Sequence, residues 1–129
     1  MVKSVAEMIG EARAEIELVS PEAASNERAA GSAILVDIRE PVEWERHIEG
    51  AVQVPRGLLE FVVDPASPRY NPELEPTRRV IVYCASGARA ALGTLTLKNM
   101  GYENVANMDG GFKAWVAAGL PTAEHHADI

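Results

Sequence analysis

Apolar and polar positions along this chain switch between two periods. Val5, Met8, Ile9, Ala12 and Ile16 fall on one stripe at helical spacing, with Ser4 as a cap and Glu7 three residues on. Ile16 to Val19 reads as a short strand. Ser20-Pro21, a cap followed by proline at the first helical position, then opens an Ala-rich helix to about Ala30. Ala33 to Ile38 is an almost unbroken apolar run, as in a parallel strand covered on both faces. Glu40-Pro41 predicts a further helix with Trp44 and Ile48 on one side and Gly50 at its end. Ala51 to Val54 and Val80 to Tyr83 are two more strands. The helix after them carries Ala91, Leu92 and Leu95 on one face and stops at Gly101. Asn104 to Met108 is a fifth strand, and the last helix holds Phe112, Trp115 and Val116 before Gly119-Leu120-Pro121. Strands alternating with helices predict an α/β domain with a mostly parallel sheet.

Two segments leave this rhythm. Gly57 to Thr77 begins as a helix through Leu58, Leu59 and Phe61, then breaks at Pro65, Pro68, Pro72 and Pro76. A connection of that length is a lid, a partner surface or a solvated excursion. Thr122 to Ile129 shows no period and is expected to be a mobile tail, so residues 1–129 form one domain with its core at about 16–121. His125-His126 in that tail make no ligand cage, since a structural metal site takes about four convergent ligands, and no metal is expected. Trp44 and Trp115, at helical spacing from Ile48 and Phe112, are expected as core anchors.

Composition narrows the function classes. At 129 residues the chain can bury a core without staples. Lys+Arg 12 against Asp+Glu 19 gives a net charge of −7, which argues against general affinity for nucleic acid or an anionic membrane. Glu7 and Glu11 interrupt the stretch where a signal peptide would need apolar residues, and no run reaches a membrane span. The expectation is a soluble cytoplasmic protein. A single cysteine, Cys84, allows no intramolecular disulfide.

Cys84 stands where the Val80–Tyr83 strand ends and a helix begins. Unpaired N–H groups and the positive end of a helix dipole favour an anion there, and the thiolate is the nucleophilic form of a cysteine. Ala85, Ser86, Gly87 and Ala88 are poor core filler but good material for an anion cradle, and Arg89 adds a permanent positive charge. The N–H groups of Ala85 through Arg89 are the expected cradle. Arg89 serves either a bound anion or the framework of the loop. Asp37 ends a central strand on the same rim, where ligands bind open parallel sheets. Its expected role is structural, accepting hydrogen bonds from the loop or pairing with Arg39. Arg56, just after the third strand, is placed to face that rim or to lie on the surface.

Four segments together resemble a single rhodanese domain, the sulfurtransferase module. They are Leu35-Val-Asp37-Ile-Arg39-Glu40 with Glu43-Trp44; His47-Ile-Glu-Gly50-Ala51-Val; Val82-Tyr-Cys84-Ala-Ser-Gly87-Ala-Arg89-Ala; and Asp109-Gly-Gly111-Phe-Lys-Ala-Trp115 with Gly119-Leu-Pro121. The resemblance runs from about Ile16 to Pro121. It implies a five-stranded, mostly parallel sheet with helices on both faces and a cysteine that carries a persulfide. It also implies sulfur transfer of the thiosulfate type, from a small donor to a small acceptor, with no cofactor; a protein sulfur donor or acceptor is compatible with the same chemistry. Two other readings share the motif. Cysteine-dependent phosphatases also place cysteine and arginine at a helix N-terminus, but with five intervening residues where Cys84 and Arg89 enclose four. A sulfur relay or interaction module without thiosulfate activity keeps the same loop.

Overall fold

In the computed structural model, residues 1–124 are described. Helix α1 spans Val5–Glu15 and begins with the capping box between Ser4 and Glu7. Strand β1 is Glu17–Val19, and α2, Pro21–Ala29, is capped by the Ser20 side chain. Strand β2, Ile34–Asp37, is followed by a 3-10 turn at Pro41–Glu43, strand β3 at Arg46–Ile48 and strand β4 at Val52–Gln53. A second 3-10 turn, Arg56–Leu58, leads into α3, Leu59–Val63. Strand β5 is Val80–Tyr83, α4 Ala88–Met100, β6 Val105–Met108, α5 Gly111–Ala117 and β7 Thr122–Glu124.

Five strands form one parallel sheet in the order β1-β6-β5-β2-β4. Alternate residues of each central strand face opposite layers, as the pleat requires. Val36, Val80 and Val82 pack with Leu59 and Val63 of α3 and Ala90 and Leu97 of α4. Leu35, Ile81 and Tyr83 face the other way, against Ala24 of α2 and Trp115 of α5. Helix α1 joins the α4 layer through the buried Ala12. Among the described residues, no helix is long and apolar enough to cross a membrane.

Two expectations are corrected. The helix foreseen from Pro41 to Gly50 is one 3-10 turn followed by a strand, and Trp44 is partly buried at the end of that turn rather than anchoring a helix. The segment expected as a tail from Thr122 is ordered at its start, because β7 pairs antiparallel with β3, joining Arg46 to Glu124 and Ile48 to Thr122. The His125-His126 pair lies outside the described residues. The proline-broken stretch, for which lid, partner surface and solvated excursion all stay open, is exposed or half-buried from Pro65 to Thr77 except at Leu74. Leu74 is buried, and the Tyr102 hydroxyl donates to the carbonyls of Val63 and Leu74, tying the excursion to the α4 layer.

Candidate functional site

The strand β5 runs its apolar residues into Cys84 at the C-terminal rim of the sheet, and the chain then turns within three residues into α4. Gly87 caps that helix with φ +107°, a conformation that residues with a Cβ rarely adopt. The turn curls around the thiol. Cys84 Sγ accepts N–H bonds from Gly87 at 3.1 Å and from Ala90 at 3.3 Å. The side chain is 1 % exposed, at the foot of the first turn, whose other N–H groups have no intrahelical carbonyl to bond. Of the residues expected to form the cradle, Gly87 touches the sulfur; Ala90, one position past the expected set, does so as well.

The loop is held from below by α5. The N–H groups of Phe112 and Lys113 donate to the carbonyls of Cys84 and Ala85. This approach needs glycine at 111, since a Cβ there would stand 2.6 Å from the Cys84 carbonyl oxygen and 2.7 Å from the Ala85 carbonyl carbon. Asn107, at the end of β6, turns its Nδ2 toward the Gly87 carbonyl at 3.5 Å.

Asp37 and Arg39 meet each other rather than Cys84. Arg39 Nε and Nη2 bond the Asp37 carboxylate at 2.8–3.2 Å, with both side chains buried. The Tyr83 hydroxyl donates to Asp37 Oδ2 and accepts the N–H of Ile48. The Arg39 guanidinium lies 4.4 Å from the centre of the Phe112 ring and donates to the Arg46 carbonyl. Burial opposes the charge on Arg39, but its bonds to Asp37 more than offset this and its pKa rises. Burial, reinforced by the Asp37 charge, pushes the Tyr83 phenol up, so it remains a donor. This network ties β2, β3, β5 and the start of α5 together around the rim. Its members Tyr83 and Phe112 were not singled out from the sequence, where each reads as an apolar core position.

Arg89 leans across the loop to Glu43 of the 3-10 turn, forming two bonds of 2.8 and 3.0 Å. Hydrogen bonding to Arg89 brings Glu43 from the ordinary 4.5 down to about 2. The same pairing raises Arg89. Its charge is therefore largely met within the protein, closing the wall between the loop after β2 and the loop after β5. Arg56 lies against α4, bonding Glu60 and Thr96, and does not face Cys84 through any bond of its own. No group of three or more metal-ligating side chains occurs among the described residues.

Comparison with known proteins places this geometry. A family model described as the rhodanese-like domain matches residues 20–118. A protein of Allochromatium vinosum named sulfurtransferase is 38% identical over 89 residues, covering 68% of this chain and 76% of its own length. Among solved structures, a Rhodopseudomonas palustris protein superposes with a TM-score of 0.88 at 35% identity, covering 95% of this chain and 96% of its own; it is described as of unknown function and a possible tyrosine phosphatase. A Pseudomonas aeruginosa thiosulfate sulfurtransferase superposes with a TM-score of 0.74 at 29% identity, covering 90% of this chain and 22% of its own. Against a Synechocystis relative, 32% identical over 107 residues, the chain spans about half of the relative's length (55%). The match over 99 of 129 positions, together with the five-stranded sheet and the loop at its rim, shows that the chain belongs to the rhodanese-like domain family.

Proposed function

We propose that the protein moves sulfane sulfur from thiosulfate or a similar donor, through a persulfide on Cys84, to a thiophilic acceptor such as cyanide or a thiol. The observation that carries this reading is the thiol held by two backbone N–H groups under the first turn of α4. The Cys84 thiolate attacks the outer sulfur of thiosulfate. The new S–S bond forms as the old one breaks, sulfite leaves with the electron pair, and Cys84 is left as an anionic persulfide. Cyanide carbon then takes the outer sulfur as thiocyanate and returns the thiolate. Each half-reaction conserves charge and needs no proton from the protein, in keeping with covalent catalysis and ping-pong kinetics. Fixed N–H groups stabilise sulfur-borne negative charge at both stages.

A phosphatase reading is suggested by the description of the Rhodopseudomonas palustris structure. Four residues between Cys84 and Arg89 make a smaller cradle than phosphatases use, and Arg89 is bonded to Glu43 rather than free for a phosphoryl group. A relay between protein donor and acceptor keeps the same persulfide and differs only in who supplies the sulfur.

Thiocyanate formation from thiosulfate and cyanide, run beside an aryl phosphate control, separates these readings. Turnover of the first and none of the second is expected. Mass spectrometry after thiosulfate should show one added sulfur, about 32 Da, removable by cyanide. Cys84→Ser should abolish both signals while its thermal unfolding stays close to that of the parent chain. More than a trace of thiocyanate from that variant would remove Cys84 from the role of nucleophile.

A further inference from the structure

Four arginines stand close to the rim, and three of their charges are already met. Arg39 is paired with Asp37, Arg56 with Glu60 and Arg89 with Glu43. The fourth, Arg13, comes from α1, ahead of residues 20–118 that the family model matches. Its Nη2 lies 3.2 Å from the point a Cβ on Gly87 would occupy, with Gly110 N at 3.6 Å from that point. Gly87 is the residue whose N–H bonds Cys84 Sγ at 3.1 Å. Covalent geometry across this one residue puts the Arg13 guanidinium within about 9 Å of the sulfur.

Arg13 pairs with no carboxylate among the described residues. Its Nε is buried and bonds nothing there, and the buried Oδ1 of Asn107, whose Nδ2 reaches the Gly87 carbonyl, is also unpartnered. Of these two atoms flanking the cysteine loop, the Arg13 N–H is a donor that an anion could meet, whereas the Asn107 oxygen is an acceptor and adds nothing to an anion site. A buried N–H left unbonded is costly, more so on a charged group; the Nη groups of the same guanidinium are not among these buried atoms and are the ones a ligand bearing oxygen acceptors would meet.

We propose that Arg13 is the docking cation for the anionic end of the sulfur donor: the sulfonate of thiosulfate or a donor of that charge class. This rests on the sulfurtransferase reading above. The loop N–H groups serve the reacting sulfur, and the oxygens that trail it need a separate donor of positive charge. Arg89 and Arg39 are committed to Glu43 and Asp37, and the chain as a whole, at −7, repels a dianion. Lys113 and Arg46 also pair with no carboxylate among the described residues but are exposed, whereas Arg13 is half-buried beside the loop with an unbonded N–H. Arg13 binds the donor without entering the bond changes at sulfur, and it acts on loading rather than on discharge to the acceptor.

Thiosulfate binding to the transfer-incompetent Cys84→Ser chain, followed at low salt by the backbone amide signals of the cysteine loop, tests this directly. Adding Arg13→Gln should weaken affinity about fivefold to tenfold, as for loss of one charge-assisted contact at a partly exposed site. Arg13→Lys should fall between, and the difference should shrink at high ionic strength. With Cys84 intact, Arg13→Gln should raise KM for thiosulfate by a similar factor and leave the rate of cyanide discharge unchanged. A change in discharge equal to that in loading would mark Arg13 as merely structural. Absence of thiosulfate binding to the Cys84→Ser chain, or equal affinity with and without Arg13, overturns the proposal. Should Arg13→Gln fail to fold, Arg13→Lys carries the comparison, with unchanged affinity counting against it. Arg13-dependent binding without any thiocyanate formation would leave this anion site standing and sink the sulfurtransferase reading; transfer that ignores Arg13 would do the reverse.

Discussion

Three side chains under the rim illustrate how a buried charge is accommodated residue by residue. Asp37 is wholly buried and takes bonds from Arg39 and Tyr83 together with the Arg39 N–H. Such a pair is weak evidence of net stabilisation, because both ions lost their water; breaking it is a different matter. Asp37→Ala leaves Arg39 buried and uncompensated and should cost about 3–5 kcal/mol, read from denaturant unfolding. Tyr83→Phe removes the acceptor for the Ile48 N–H and one donor to Asp37, and should cost about 1–3 kcal/mol. A loss below half a kcal/mol in Asp37→Ala would mean that the pair is dispensable to the rim. The Arg89–Glu43 pair is more exposed, so its coupling should be smaller, about 0.2–1 kcal/mol in a double-mutant cycle. Its effect is expected in turnover instead. Arg89→Ala and Glu43→Gln should each slow sulfur loading, and the double variant should be scarcely slower than the worse single one. Additive losses would show that Arg89 serves the donor independently of Glu43.

At the scale of elements, the cysteine loop works because two helices and a strand converge on it without room to spare. The close passage of α5 under the loop depends on one missing side chain. Gly111→Ala would drive a Cβ into the Cys84 and Ala85 carbonyls, where backbone rather than a flexible side chain must yield. The carbonyl bonds from Phe112 and Lys113 would be lost with it. The expected outcome is a loop displaced from its N–H bonds to Sγ and at least a tenfold fall in persulfide formation, as for loss of a preorganised donor, with the far-UV spectrum retained. Normal loading in Gly111→Ala would show that the loop holds its shape without α5. The loop itself was legible from the sequence because everything that forms it is local: an apolar strand, one thiol, four small residues and a helix. The turn and strand at residues 41–48 were not, because β3 has three residues and is a strand only by virtue of β7, which lies far along the chain and joins Thr122 to Ile48 and Glu124 to Arg46. Neither segment carries a strand-length pattern, and each satisfies the backbone groups of the other. Glu43 and Arg13 escaped for a related reason. Each reads as an ordinary charged position on a solvated element, and each gains meaning only when the fold brings it to the loop.

Across the whole molecule, the balance of paired carboxylates and buried phenols sets the pH range over which the fold persists. Glu43, held by Arg89, ionises near 2 instead of 4.5, and Glu17 is lowered in the same direction by its bonds to Arg79, which also ties β1 to α2 through Glu27. A carboxylate whose native pKa is depressed contributes stability that is complete above its unfolded value and is lost as pH falls through its native one. The acid limb should therefore develop between about pH 4.5 and pH 2. Glu43→Gln should lower stability at neutral pH yet flatten that limb, because the proton uptake it drives is gone. The opposite limb is shared by Tyr83, raised by burial, and Tyr102, whose phenol is raised to about 12, first by burial and then by nearby Tyr70 and Asp64. A group with a raised native pKa contributes stability fully present below its unfolded value, near 10, and lost as pH climbs through its native one. Tyr102 also bonds the carbonyls of Val63 and Leu74, so its ionisation would release the proline-broken segment before the sheet. Between about pH 10 and 12, hydrogen exchange should rise first in residues 64–77. Tyr102→Phe should bring that exposure down to neutral pH while leaving the slope of the alkaline limb shallower. Uniform exchange across the sheet and the excursion in the parent chain would show that Tyr102 does not separate them, and that alkaline unfolding starts elsewhere.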